Sequence, residues 1–161
     1  MINKQISPEK ALAKAQNICA KQEKCKADIR KKLYEWKTPT EDIENILDKL
    51  VDDKFIDENR YTGYFVRDRY KLNKWGRIKI VYSLKQKQIA QSIIDKAIST
   101  INEDEYEEIL HEELKKKLRS LKNEEKHKLK EKLLRFSTGR GYEAELSLTQ
   151  ISRLLNDSGL R

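Results

Sequence analysis

Apolar residues along this chain recur at intervals of three and four and almost nowhere in strict alternation, a pattern of amphipathic helices rather than half-buried strands. Leu12, Ala15 and Cys19 form the first stripe. It comes after Ser7-Pro8-Glu9, which offers a hydroxyl cap, a proline where no N–H bond is lost, and an acid near the positive end of the helix dipole. Ile29, Leu33 and Trp36 mark a second helix. Thr38-Pro39-Thr40-Glu41 reads as a capping box with proline at the first helical position, opening a third helix that carries Ile43, Ile46, Leu47 and Leu50.

The pattern then restarts. Asp57 is placed to cap a helix running to Lys74, with Tyr61, Phe65 and Leu72 on one face, and Gly76 breaks it. Helices carrying Ile80 and Leu84, then Ile93, Ile94, Ala97 and Ile98, complete the second round. At a spacing of about fifty, Ile29 pairs with Ile80, Leu33 with Leu84, Ile43 with Ile93 and Leu47 with Ala97, so one supersecondary unit repeats. A third round opens at Asn102-Glu103-Asp104-Glu105, again a capping box by residue type, and carries Tyr106, Ile109, Leu110, Leu114, Leu118 and Leu121. Leu129, Leu133 and Phe136 come next; beyond the turn Gly139-Arg140-Gly141 lie Ile151, Leu154 and Leu155, and the stretch from Tyr142 to Ile151 reads as holding extra residues. The expected fold is all-α: three tandem three-helix repeats over residues 1–56, 57–101 and 102–161, forming an elongated, curved array.

Composition agrees with this picture and narrows it. Charged residues make up 39% and hydrophobic ones 37%, and only 5 Gly and 2 Pro interrupt the chain, which suits long helices with short connections. No stretch approaches the roughly 20 apolar residues that span a bilayer, and Met1 to Lys10 lacks the basic-then-apolar order of a secretory signal. A cytoplasmic monomer without membrane contact is expected. Cys19 and Cys25, six apart, lack redox-motif spacing and read as a small core residue and a helix-start residue.

Charge is patterned along the chain. Residues 1–59 balance 12 basic against 12 acidic side chains, and residues 60–90 hold 9 basic against Asp68 alone. Residues 91–113 reverse to 1 against 8, and residues 114–161 return to 13 against 6. On a helix from Asp57 to Lys74, Arg60, Arg67, Lys71 and Lys74 fall within an arc of about 60°. They form a stripe with Tyr64 beside it, while Arg77, Lys79, Lys85 and Lys87 spread around the next helix. Such an imbalance points to a polyanionic partner.

The residues carry no catalytic constellation. His111 and His127 lie in polar stretches without metal-ligand spacing and read as surface histidines. There is no glycine-rich phosphate loop and no nucleophile elbow, so neither metal nor cofactor is expected. The acidic run from Glu103 to Glu113 reads as a solvated face, with a metal-dependent nuclease as the weakest alternative. Helix-turn-helix readout is disfavoured because the candidate recognition helix, Glu41 to Asp48, would drive four carboxylates against phosphates.

Three stretches, Phe55-Ile56-Asp57-Glu58-Asn59-Arg60-Tyr61, Tyr64-Phe65-Val66-Arg67-Asp68-Arg69 and Trp75-Gly76-Arg77-Ile78-Lys79-Ile80, together with Leu84-Lys85-Gln86-Lys87-Gln88-Ile89, resemble the RecX family of recombination regulators. Ala11-Leu12, Ala15, the helix start at Cys25 and Gly139-Arg140-Gly141-Tyr142 extend the resemblance over nearly the whole chain. Gln88 stands where that family usually has glycine, and Ser137 where its third repeat usually has an apolar residue. The resemblance implies three tandem three-helix repeats lying in the groove of the RecA filament on single-stranded DNA. It also implies inhibition of the filament's ATP hydrolysis, strand exchange and co-protease activity, without chemistry of the regulator's own, and so a part in DNA repair and the SOS response. The residues expected to meet filament or DNA are Arg60, Tyr64, Arg67, Arg69, Lys71, Lys74, Arg77, Lys79, Lys85 and Lys87. Contact with DNA is expected to be weak and at the level of the backbone; the alternative is a general nucleic-acid-binding helical module without a recombinase partner.

Overall fold

The computed structural model describes residues 4–121 and 124–159, and among them the chain is helical throughout, with no strand. Nine helices succeed one another in these residues: α1 (Pro8–Lys21), α2 (Lys26–Glu35), α3 (Thr40–Asp52), α4 (Glu58–Lys71), α5 (Arg77–Gln86), α6 (Gln91–Ile98), α7 (Glu103–Ser120), α8 (Lys126–Gly139) and α9 (Ala144–Asp157). They pack in threes: α1 to α3, α4 to α6, and α7 to α9. The accessible surface is 10256 Å², about a fifth above the roughly 8,400 Å² that size scaling gives for a compact monomer of this mass. Such an excess is in keeping with units set in a row rather than around one central core.

Local chemistry starts several helices as expected. Ser7 Oγ accepts from the Lys10 N–H at 3.3 Å with Pro8 in the first turn, Asp57 Oδ1 accepts from the Arg60 N–H at 3.0 Å, and Asn102 Oδ1 accepts from the Glu105 N–H at 2.9 Å. The capping box expected at Thr38 does not form. Helix α3 begins at Thr40 with Pro39 as its cap, no side chain capping it, and the buried Thr38 hydroxyl finds no partner among the described residues. Thr38 belongs instead to the end of α2. Its N–H bonds to the Leu33 carbonyl at 3.0 Å, past Lys37 in the left-handed region at φ 57°. This is the closure that lets a chain leave a helix sharply.

The same closure recurs in each repeat and sets the true register. Lys37, Gln88 (φ 60°) and Gly141 (φ 93°) are equivalent, and the Ile89 and Tyr142 N–H groups reach back to Leu84 and Ser137 as Thr38 does to Leu33. Cys25 and Gly76 each cap a second helix 51 residues apart, and Thr40 and Gln91 each open a third. Ile43 therefore corresponds to Ile94, not to Ile93; Ile94 is fully buried while Ile93 lies only partly against the core. The adjacent isoleucines hid a one-residue slip.

The third repeat holds no extra residues after Tyr142. From the left-handed residue to the next helix the count is the same three times, Lys37 to Thr40, Gln88 to Gln91 and Gly141 to Ala144. Two core positions of α9 are polar, Ser147 and Gln150, each within 5% of full burial, where α3 has Ile43 and Ile46. Ser137 replaces the leucine of α2 and α5 and is also buried, its hydroxyl donating to the Leu134 carbonyl at 3.1 Å. An apolar pattern with three polar members looks longer than it is. His111 departs from expectation in the same way: it is 8% exposed, on the inner face of α7 beside Leu110 and Leu114.

Apolar packing is partitioned unequally. The first repeat closes its own core around Ala11, Ala15, Ile29, Leu33, Ile43, Leu47 and Leu50. The second and third share one continuous core, in which Ile80, Leu84 and Ile94 join Tyr106, Leu110, Leu133 and Tyr142. Cys25 is the residue of the first repeat buried in that shared core.

Candidate nucleic-acid interface

The ten residues singled out by sequence all lie on α4, α5 or the turns that end them, but the fold uses many of them internally. Helix α4 ends at Lys71. Lys74 therefore does not extend the stripe: it sits beyond the helix at φ 58°, and its ammonium turns back to donate to the Lys71 carbonyl at 2.6 Å. Leu72, expected on the core face, is 74% exposed because the helix stops before that face can be continued; Thr62, Val66 and Tyr70 join Tyr61 and Phe65 in the core instead.

Toward the first repeat, two cations are held by carboxylates. Arg60 Nε lies 2.5 Å from Glu23, and Lys87 Nζ lies 2.6 Å from Asp28. The Glu58 carboxylate returns the contact, accepting from the Lys26 N–H at 3.4 Å, and Arg30 donates to Gln88 at 3.4 Å. Burial pushes the Asp28 carboxyl up, but its bonds to the Lys87 ammonium and to Cys25 outweigh this and hold it below the usual carboxylate range. Cys25, at the centre of the junction, has its thiol pushed up by burial to about 11. It is a structural thiol, not a reactive one.

Toward the third repeat the connection is tighter still. Gly76 donates its N–H to the Arg140 carbonyl at 2.8 Å and Ile78 to the Gly141 carbonyl at 3.0 Å, so two backbones run against one another. Arg77 binds both Glu103 and Glu143, with its guanidinium 4.0 Å from the Tyr106 ring centroid. The Tyr106 hydroxyl accepts from the Arg77 N–H and donates to Glu143, each at 2.9 Å, and burial above all keeps that phenol far above the ordinary tyrosine range. Lys71 reaches Glu105 at 3.4 Å. The alternation of charge between residues 60–90 and 91–113 is thus partly an internal match between neighbouring repeats. Sequence could not reveal this, because the partners lie tens of residues apart.

Aromatic faces take up two more cations. Arg69 lies 4.6 Å from the Phe65 centroid and 5.1 Å from that of Trp75, and the Lys79 ammonium lies 4.3 Å from the Trp75 centroid. Tyr64, Arg67 and Lys85 remain turned outward. Tyr64 is 45% exposed, and the Arg67 guanidinium rests 5.0 Å from its ring centroid. These two sit on a cleft of about 480 Å³ that runs over three turns of α4, lined by Arg60, Gly63, Tyr64, Arg67, Tyr70 and Lys71 and closed by Thr100 after α6. Among the described residues no carboxylate lines it. A larger cleft of about 620 Å³, between the first and second repeats, mixes Lys24, Arg69 and Lys87 with Glu23, Asp28 and Asp68.

Among the described residues no three His, Cys, Asp or Glu side chains gather so as to hold a metal ion, and no helix is long and apolar enough to cross a membrane. The acidic run of α7 puts Glu103 and Glu105 onto Arg77 and Lys71, and Glu113 onto Arg140 at 3.5 Å.

A family description, "RecX, second three-helix domain", matches residues 57–98, the helices α4 to α6. The chain is similar to the "Regulatory protein RecX" of Clostridium tetani, 40% identical over 119 residues that make up 73% of this chain and 54% of that protein. It is also similar to the protein of that name from Clostridium acetobutylicum, 33% identical over 151 residues, 91% of this chain and 68% of that one. Of these two relatives, the chain spans about half the length of the first and about two thirds of the second. Among solved structures, a "Crystal structure of regulatory protein RecX" superposes with a TM-score of 0.80 at 28% identity, covering 86% of this chain and 68% of that one. RecX from Lactobacillus salivarius shares the fold, with a TM-score of 0.79 at 20% identity over 91% of this chain and 96% of that one.

Proposed function

The chain belongs to the RecX family, and from that premise we propose that it regulates the RecA recombinase by binding the RecA filament on single-stranded DNA. The observation that carries the reading is the family likeness itself, which spans 91% of the chain in a relative named a regulatory protein. The elongated array supports it, since an extended surface suits a long partner better than a compact one does. So does the outward face of α4, where Tyr64 and Arg67 stand clear of the pairs that join the repeats. The proposed action is occupancy: the protein lies along the filament and lowers ATP hydrolysis, strand exchange and co-protease activity, and through them recombinational repair and the SOS response. It works as a cytoplasmic monomer and performs no catalysis.

The test adds purified protein to RecA filaments on single-stranded DNA and measures ATP hydrolysis. Hydrolysis should fall as the protein approaches stoichiometry with the filament, and Arg67→Glu should relieve the effect. An unchanged rate at stoichiometric protein would count against the proposal. Arg67 is the informative position because its nearest carboxylate is the neighbouring Asp68, at 3.9 Å. Reversing Arg60, Lys71, Arg77 or Lys87 would disturb the junctions between repeats as well.

A further inference from the structure

We propose that the cleft along α4 binds an unpaired DNA strand, with a base stacked on Tyr64 and the phosphates set against Arg67 and Lys71 where Gly63 leaves the helix surface open. This deepens the recombinase reading by giving the DNA its own site on the regulator. It does not require the recombinase to be correct.

Three observations converge on this cleft. The first is Gly63 itself, which occupies the interior of α4 on its exposed side. A methyl group added there would meet no atom within 4 Å, and the residue has no positive φ. Nothing inside the chain therefore requires glycine, and alanine would suit the helix better. A surface left bare at such a position fits the close approach of another backbone. Gly76 and Gly141 show the contrast, since neighbouring backbone or side-chain atoms fill the space a side chain would need.

The second is the pairing of Tyr64 and Arg67. They stand one turn apart, each about half exposed, with the guanidinium over the ring at 5.0 Å. An exposed ring steadied by a cation is a ready stacking platform, and stacking on aromatic faces is how unpaired strands are held without sequence readout. Tyr34 and Tyr82 are also exposed but line neither this cleft nor the larger one, which Tyr64 borders as well.

The third is charge. No carboxylate lines the α4 cleft among the described residues, although Glu23 and Glu105 beside it hold Arg60 and Lys71 and leave Arg67 the freest cation; three other clefts are each lined by at least one of Glu23, Asp28, Glu35, Asp68 and Asp157. A phosphate chain meets attraction along this cleft; an acidic peptide would meet the same charge but has no bases to stack on the Tyr64 ring. Arg60 to Lys71 covers roughly 16 Å of helix, room for a few nucleotides.

The experiment measures binding of the whole protein to a fluorescent single-stranded oligothymidylate at low salt, with a duplex of equal length as comparison. The single strand should bind more tightly than the duplex. Tyr64→Ala should weaken binding about tenfold, the loss expected of one stacked base, and Tyr64→Phe should stay within about twofold of wild type because the stacking face is kept. Gly63→Ala should bind more weakly while its thermal midpoint does not fall, which separates a blocked site from a damaged fold. Equal affinity for duplex and single strand, wild-type affinity in Tyr64→Ala, or no binding by the wild-type protein would each overturn the proposal. Binding through Tyr64 with no effect on recombinase ATP hydrolysis would instead sink the recombinase reading and leave this one standing.

Discussion

A methyl group at Gly76 and the same group at Gly63 should shift stability in opposite directions. At Gly76 an added Cβ would lie 2.1 Å from the Gly141 carbonyl carbon and 2.2 Å from both the Gly141 oxygen and the Tyr142 nitrogen. All three are backbone atoms, so no side chain can rotate away. Relief requires the α5 and α8 ends to separate, which breaks the Gly76-to-Arg140 and Ile78-to-Gly141 hydrogen bonds at 2.8 and 3.0 Å and strains the Arg77–Tyr106–Glu143 cluster behind them. Two lost bonds at about 1 kcal/mol each, with roughly 1–3 kcal/mol for the overpacked contact, give about 3–5 kcal/mol for Gly76→Ala. At about 2–4 °C per kcal/mol for a chain of this size, the midpoint should drop by roughly 6–20 °C. Gly63→Ala adds helix propensity without a clash, about 0.5–1 kcal/mol, and should raise the midpoint by about 1–4 °C. Thermal unfolding monitored by far-UV circular dichroism, with Trp75 fluorescence as a probe next to the seam, reads both. A Gly76→Ala midpoint within a degree or two of wild type would refute the close approach of the two backbones.

Other expectations can be checked on the same material. Gln88 holds a left-handed conformation that glycine adopts freely, so Gln88→Gly should stabilise by about 0.5–1 kcal/mol and raise the midpoint; a fall would show that its bond with Arg30 matters more than the backbone. Asp28, held below the ordinary carboxylate range, contributes stability above that range and loses it as pH falls through its depressed folded value. Asp28→Asn should therefore melt earlier than wild type at pH 7, with the gap closing below about pH 4; a gap independent of pH would mean that shape rather than charge holds the junction. With its thiol pushed to about 11 and no exposed surface, Cys25 should resist a disulfide reagent at pH 8 until the protein unfolds. Its thiolate fraction there is lower than that of a free cysteine by on the order of a hundredfold, and rapid titration of both thiols in the native protein would contradict this.

Much of the architecture was legible because it is written locally. Ser7, Asp57 and Asn102 cap the helices they precede, and the apolar spacing of Ile29 and Leu33 returns at Ile80 and Leu84. Where the pattern misled, a bond to the preceding helix or a place in the packing had overridden residue type. Thr38 looks like a cap because Pro39, Thr40 and Glu41 come after it, yet its N–H closes the helix behind it. Ser137, Ser147 and Gln150 are buried because the repeat places them inside, whatever their polarity. The basic run was visible as charge, but its division into joining and outward residues was not: Arg60 and Lys87 find acids 37 and 59 residues away, and Arg77 finds Glu143 66 residues away. The outward remainder, Tyr64, Arg67 and Lys85, stands in the sequence among a larger set of cations, and the bare turn at Gly63 shows there as a glycine inside a helix.

The uneven division of the core bears on how such a chain can be shortened, lengthened or recombined. Its first three helices close over their own apolar residues and meet the rest largely through ion pairs and one buried cysteine. A break in the connection before α4 would bare little apolar surface on either side. The second and third repeats have no such parting line, because Ile80, Tyr106 and Tyr142 would all be laid open. Counted by helices the molecule has three units; counted by its apolar cores it has two, one of them formed by twice as many helices as the other.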